Sequence, residues 1–437
     1  MPSSLSWLVH DSKARERTQQ ILFSFMAKES RDELGLGAIR DSFSDQLFPG
    51  TSTIQTRLRY MLFIPWIYRQ LEENKKGNAE NFATEADRKE RELGDVLRNT
   101  QDNAGAFGKT KQGLLKRLPS SVYWSGLRTW GIFRQNLSQE GYHRTVKEIY
   151  GQRMLRSKKE KEARKRGDDR DAYLSTSLET WHKDLPKIPN NFPKGATFSL
   201  SRAEAEFILA RLEDSCTTSL LYHLTKDCRK KTATDLDKAD TPWTHPDFES
   251  FPVEHKKLLH HAKLFSTVMN GAALSYNFQL ANMFATNADC KEAHDPETYR
   301  KSFQEWAVTQ TIPLREEIVV WDLDGLWKLT DGHGHNITAS TKEFVGEWVG
   351  LVKKALKTKP FTEEALAALL TDQKALALVK NREIACKGKN SRFQNAQALG
   401  QWGGWSGTTP LVYRWHHVKV LLADLYVGLN KTQEEVC

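Results

Sequence analysis

Arg153, Arg156, Lys158, Lys159, Lys161, Arg164, Lys165 and Arg166 fall within fourteen residues, with only Glu160 and Glu162 as acidic interruptions. Guanidinium and ammonium groups at this density suit a partner whose negative charges repeat along a backbone, as phosphates do. The wider window 108–170 holds seventeen Lys and Arg against six acidic residues, a local balance of +11. The whole chain carries +9, so the remainder sums to −2. Charge concentrated in this way makes a field that draws in a polyanion, and nucleic acid is the commonest one in a cell. Within the run, Lys158, Lys159, Arg164, Lys165 and Arg166 are the candidate contacts. With few helix breakers it reads as a solvated helix that tracks phosphates without reading bases. It reads equally as an exposed linker helix held by intrahelical Lys–Glu pairs.

Just upstream, Gly113 to Leu118 suggests a short helix, Pro119-Ser120-Ser121 a turn with a serine cap, and Val122 to Trp130 a second helix stopped by Gly131. That is the grammar of a helix-turn-helix, in which the second helix would offer Tyr123, Ser125 and Arg128 to a groove, with Lys116 and Arg117 of the first helix part of the same positive surface. Gly126 inside the second helix weakens the pattern, and any helical hairpin shares it. A third candidate is Thr51-Ser52-Thr53, leading through Gln55 to Arg57. Free amides at a helix start beside an arginine would hold a phosphate or carboxylate. In the plainer alternative Thr51 or Thr53 caps the helix and Arg57 pairs with Asp41 or Asp45. Pro65 should kink or restart that helix.

Other patterns fail on their own chemistry. Asn103 to Thr110 ends like a phosphate-binding loop, but glycine is needed where Asn103 stands and no buried strand precedes it. Gly404-Trp405-Ser406-Gly407-Thr408 lacks the final glycine of a hydrolase elbow and reads as a tight turn with tryptophans packed below. His333, His335 and His416 could hold a metal only if the fold brings them together. Asp322 with Asp324, or Glu316 with Glu317, serve as well on the wet face of a helix. No motif requires a cofactor, and no catalytic residue is assigned.

Elements of helical period must position these residues. Ser201-Arg-Ala-Glu204 before Phe207, Ile208 and Leu212 is a capping box, and Ser340-Thr-Lys-Glu343 before Phe344, Val345 and Trp348 repeats it. Thr362 opens a helix through Leu366, Leu369 and Leu370. Alternating strand patterns are nearly absent. The expected fold is mainly α and multi-helical, with two or three packed helical domains, the helix-turn-helix-like element in the N-terminal part and room for a small hairpin. Of thirteen tryptophans, most, Trp130, Trp181, Trp306 and Trp348 among them, are expected to be core anchors. The expected divisions are an N-terminal domain over 1–150, a basic helix and proline-rich linker over 151–197, a middle domain over 198–310 and a C-terminal region over 311–437. Prolines 186, 189 and 193 mark the linker. Five widely spaced cysteines form no zinc or redox motif. With no leader pattern at the start and no apolar run of ~18 residues, a soluble cytoplasmic protein is expected.

Several stretches carry a family likeness: Leu5-Ser-Trp7, Arg31 to Asp41, Phe48 to Arg57, Leu118 to Trp124, Phe265 to Leu280 with Met269-Asn-Gly-Ala and Tyr276-Asn277, Trp402 to Gly407, and Leu411 to Trp415. Through them the chain resembles, from end to end, a bacterial family of about this length catalogued as a domain of unknown function. The resemblance implies no catalytic residues. It implies a context, as a companion of helicases and phospholipase-D-type nucleases in anti-phage defence clusters. The reading favoured is a non-enzymatic subunit that binds DNA and docks such a helicase or nuclease. The alternatives are a protein-binding scaffold without nucleic acid and a metal-dependent nuclease using His333, His335 and His416.

Overall fold

The computed structural model describes residues 32–73, 81–108, 117–166, 179–226, 236–285 and 295–431, with the backbone alone for Tyr150, Arg153, Met154 and 156–166. Its helices of ten or more residues are α1 (Gly37–Leu47), α2 (Tyr60–Glu73), α3 (Phe82–Arg98), α4 (Pro119–Thr129), α5 (Gln139–Arg166), α6 (Arg202–Ser215), α7 (Val253–Ala285), α8 (Pro296–Glu305), α9 (Ala339–Leu356), α10 (Gln373–Lys387) and α11 (Trp415–Leu429). The protein is mainly helical. Among the described residues no strand forms, and the hairpin allowed by the sequence is reduced to one antiparallel bridge between Phe133 and Trp181. No helix among them is long and apolar enough to cross a membrane.

Contacts divide the chain into two compact units, one of residues 1–43 with 257–411 and the other of 44–256 with 412–437. Neither follows the expected divisions near 150, 198 and 311. The position expected to end the first domain lies inside α5, which runs unbroken from Gln139 to Arg166.

In the 44–256 unit, α2 is the central element. Every residue from Tyr60 to Tyr68 is buried, so the helix is enclosed on all sides. Pro65 does not restart it: one helix continues to Glu73. The proline-rich stretch after 184, expected as a linker, instead lies along this core. Trp66 Nε1 donates to the Pro186 carbonyl at 2.8 Å, Phe192 stacks on Phe63, and Leu185, Ala196, Phe198 and Leu200 are buried. Apolar residues set between prolines let this irregular segment cover a helix while leaving few amides to satisfy. Ser201 and Glu204 form the expected reciprocal cap of α6. Against α6 packs α11, where a Cβ on Gly428 would stand 2.9 Å from those of Ala205 and Leu200.

In the 257–411 unit the long α7 is the axis, with Leu264, Phe265, Val268, Met269, Ala272, Tyr276 and Leu280 all buried. Trp348 Nε1 reaches across from α9 to donate to the Val268 carbonyl at 2.9 Å. Gly271 admits the Trp306 indole so closely that a Cβ would meet its ring at 2.4 Å. The cap of α9 is Thr338, two residues before the expected serine. The helix expected from Thr362 is one turn, Glu364–Ala367, tightening into a 3-10 turn through Leu370.

Candidate nucleic-acid interface

The helix α4 carries the first of the residues expected to contact nucleic acid. It starts at Pro119, the position where a missing amide costs nothing and the ring supplies a helical φ. The turn expected at 119–121 is therefore the first turn of α4, while residues 113–116, the other helix of the expected motif and Lys116 with it, lie outside the described residues. Val122, Tyr123, Trp124 and Leu127 face the core. Arg117, two residues before the helix, is exposed, as are Ser121, Ser125 and Arg128 on it, the last three spaced four and three apart as one helix face requires.

Tyr123 is a correction. Its side chain is fully buried, its hydroxyl donates to the Arg57 carbonyl at 2.8 Å, and it accepts from the amides of Thr56 and Arg57 at 2.8 and 3.0 Å. It closes the 51–59 turn and has no surface to give a groove. An aromatic next to an exposed serine carries no sequence signal that separates the two roles.

Beyond α4, Arg134, Arg144 and Lys147 are exposed as well. Tyr142 and Val146 bury the first turns of α5. From there Gly151, Gln152 and Leu155 are exposed, and Leu155 keeps 64% of its surface free. A 28-residue helix spans about 42 Å at ~1.5 Å per residue. The backbone of Lys158, Lys159, Arg164, Lys165 and Arg166 is helical within it, and their side chains lie outside the described ones. Of the five described basic residues from Arg117 to Lys147, Arg144 pairs with Glu140, and Arg128 donates to Asn136. Arg117, Arg128, Arg134 and Lys147 form no ion pair with another described residue.

The expected anion site at 51–57 is occupied from within. The helix begins at Tyr60, so Thr51, Ser52 and Thr53 do not present helix-start amides. Thr51 is buried and donates to the Phe48 carbonyl at 2.7 Å, while Ser52 is half-buried and Thr53 exposed. Arg57 pairs with Asp424 through two nitrogens and with Asp102 through the third, which also reaches the Ala104 carbonyl. Its face covers the Phe198 ring at 4.6 Å. Neither the free arginine nor the expected Asp41 or Asp45 partner is found: Asp41 pairs with Arg40 and Asp45 with Arg414. A cleft of about 430 Å³ opens beside Arg57, edged by His416 and Lys419, but every Arg57 nitrogen is already taken by protein.

His333 and His335 stand in the loop 331–335 of the 257–411 unit, and His416 lies in the first turn of α11 in the other unit. Among the described residues, no group of three or more His, Cys, Asp and Glu side chains could hold a metal. The 402–407 stretch makes the expected turn. Trp402 is buried and donates to Asn277 Oδ1, which also accepts from the Ser406 amide, while Trp405 stays half exposed against Tyr299.

Sequence reasoning missed a buried ionic group in the 257–411 unit. Glu33 lies between Lys387 at 3.2 Å and Arg392 at 2.8 Å, and Arg392 also donates to Tyr276 Oη and Ser406 Oγ. These residues come from four distant stretches, three of them among those that carry the family likeness, and only their recurrence in that likeness could have signalled them.

Residues 2–428 match the model of a family of unknown function, DUF6361. The chain belongs to that family. No curated protein and no solved structure matches it.

Proposed function

We propose that this DUF6361 protein is a non-enzymatic DNA-binding subunit that grips the phosphate backbone through the exposed face of α4 and the basic length of α5. The observation that carries the reading is the state of Arg117, Arg128, Arg134 and Lys147. All four are exposed and unpaired with any described acid, so their charge is available to a partner. Cations held against neighbouring carboxylates, as Arg57 is, would have little left to give. Docking of a helicase or a phospholipase-D-type nuclease in an anti-phage defence cluster belongs to the same proposal, and rests on the family likeness alone.

Charge reversal tests it. Arg117, Arg128, Lys158 and Arg164 changed together to Glu are expected to weaken duplex binding about 100-fold near physiological salt. The slope of log affinity against log salt should fall by ~3–4, since each lost phosphate contact removes ~0.9. A folded variant with the affinity and salt slope of the parent would reject the reading. Leu155, exposed on α5 among the charges, favours a second reading in which this helix docks a protein. Competition between duplex DNA and the partner protein for the parent chain separates the two.

A further inference from the structure

A cavity of about 100 Å³ lies in the 257–411 unit, where three distant stretches meet. Residues 32–40 supply Leu34 and Leu36, α7 supplies Ser266, Met269, Asn270, Ala273 and Tyr276, and 406–411 supply Ser406, Pro410 and Leu411. The polar groups in this wall divide into two kinds.

The charged ones are all satisfied. Asp32 accepts from the amides of Leu36 at 2.8 Å and Gly37 at 2.5 Å, which starts α1. Glu33 is held by Lys387 and Arg392, and Arg40 pairs with Asp41 at 3.0 Å. An anion would find Arg40 already paired with Asp41, and a cation would find Asp32 already holding two amides and Glu33 two cations, so either would have to displace a partner to enter.

The neutral ones keep hydrogen-bonding capacity. Asn270 is 6% exposed; its Nδ2 donates to the Thr408 carbonyl at 2.6 Å, and its Oδ1 receives nothing from a described residue. Ser266 Oγ accepts from the Leu411 amide. Tyr276 Oη and Ser406 Oγ both accept from Arg392, which leaves each hydroxyl its own proton to donate. Burial holds the Tyr276 hydroxyl well above its ordinary pKa, so that proton stays in place. One buried acceptor and several hydroxyl donors stand among apolar side chains.

We propose that this cavity takes one neutral heterocyclic ring of pyrimidine type. Such a ring presents acceptors and a donor along its edge and two apolar faces, matching Asn270, the hydroxyls and the Met269, Leu34 and Leu411 walls. The cavity is smaller than the dry one of about 150 Å³ that takes benzene, but it is open at its mouth, so the polar edge of the ring enters while the rest of the ring and its sugar stay outside. The inference stands apart from the basic surface of the other unit. The ring could belong to a free nucleoside or to an unpaired base in a strand.

Methionine methyl NMR on the whole chain tests it, with Met269 assigned by its loss in Met269→Leu. Thymidine at millimolar concentration is expected to move the Met269 signal and leave Met61 in the other unit in place. A response to thymidine alone assigns a free nucleoside; a response to oligothymidylate as well assigns a base in a strand. Silence of Met269 to both overturns the proposal. Ala273→Leu, which fills the cavity, should abolish the response while keeping a cooperative melt, and a response that persists in the folded variant overturns it equally. Should that variant not fold, the parent's Met269 signal decides. Charge reversal on α4 and α5 would leave the thymidine response intact, so the two proposals fail separately.

Discussion

Arg57 shows how one side chain can look like a binding group and serve as a fastener. Its three nitrogens join the C-terminal helix through Asp424, the 99–108 loop through Asp102 and Ala104, and its backbone is held by Tyr123. Burial raises the Asp424 carboxyl above its ordinary pKa, against the pull of Arg57 and the Leu58 amide toward the charged form. Removing the arginine strands that carboxylate. Arg57→Met is expected to cost about 3–5 kcal/mol, the penalty for breaking a buried pair from one side. The Arg57→Met, Asp424→Leu double variant should recover much of it, read by urea unfolding. An unchanged midpoint in Arg57→Met would return Arg57 to the candidate ligand groups. Gly126 makes a parallel point. In the sequence it only weakened a helix, yet a Cβ there would stand 2.5 Å from the Gly50 carbonyl oxygen, so glycine is what lets α4 approach the 48–52 turn. The partner is 76 residues away, and no local pattern announces it.

At the scale of elements, what was legible is what is local. The Ser201–Glu204 cap is readable because both partners lie within one turn, and the burial of Trp130, Trp181, Trp306 and Trp348 follows from their apolar settings. The start of α4 is not legible locally, for the opposite reason. Its first turn has no side-chain cap of its own; Glu90, from α3, accepts from the Ser120 amide at 2.8 Å. Glu90 is 2% exposed, and its other oxygen has no partner among the described residues. Burial, with Asp87 adding to it and Ser120 and Arg91 opposing, pushes its pKa up to about 7. The folded value lies above the ordinary 4.5, so this group's contribution to stability is complete below about pH 4.5 and is lost as pH rises through 7. Glu90→Gln keeps the acceptor and removes the titration. Relative to the parent it should gain on the order of 3 kcal/mol at pH 8.5 and little at pH 5, measured by chemical unfolding at both. Equal differences at the two pH values would show that Glu90 is charged throughout.

For the whole molecule, the decisive fact is that neither unit is continuous in sequence. Linear cues such as prolines 186, 189 and 193 suggest a boundary, but the segment that holds them packs on α2, and the chain returns to the 44–256 unit after residue 411. That returning piece is mostly α11, which buries Trp415, Val418, Leu421, Leu422, Leu425, Tyr426 and Leu429 and brings Asp424 to Arg57. Each such large side chain contributes ~1.5–3 kcal/mol when buried, about 10–20 kcal/mol for the seven, which is comparable with the whole 5–15 kcal/mol by which a domain is ordinarily stable. A chain ending at Leu411 should therefore lose the 44–256 unit altogether. The expected signature in hydrogen exchange is loss of protection throughout α2, α4 and α6, with slow exchange retained in α7 and α9, whose partners Trp306 and Trp348 all precede the cut. Protection kept in α2 would mean that residues 44–256 fold unaided. Loss of protection in α7 as well would mean that the two units unfold as one, and duplex binding through α4 and α5 would then depend on the full length of the chain.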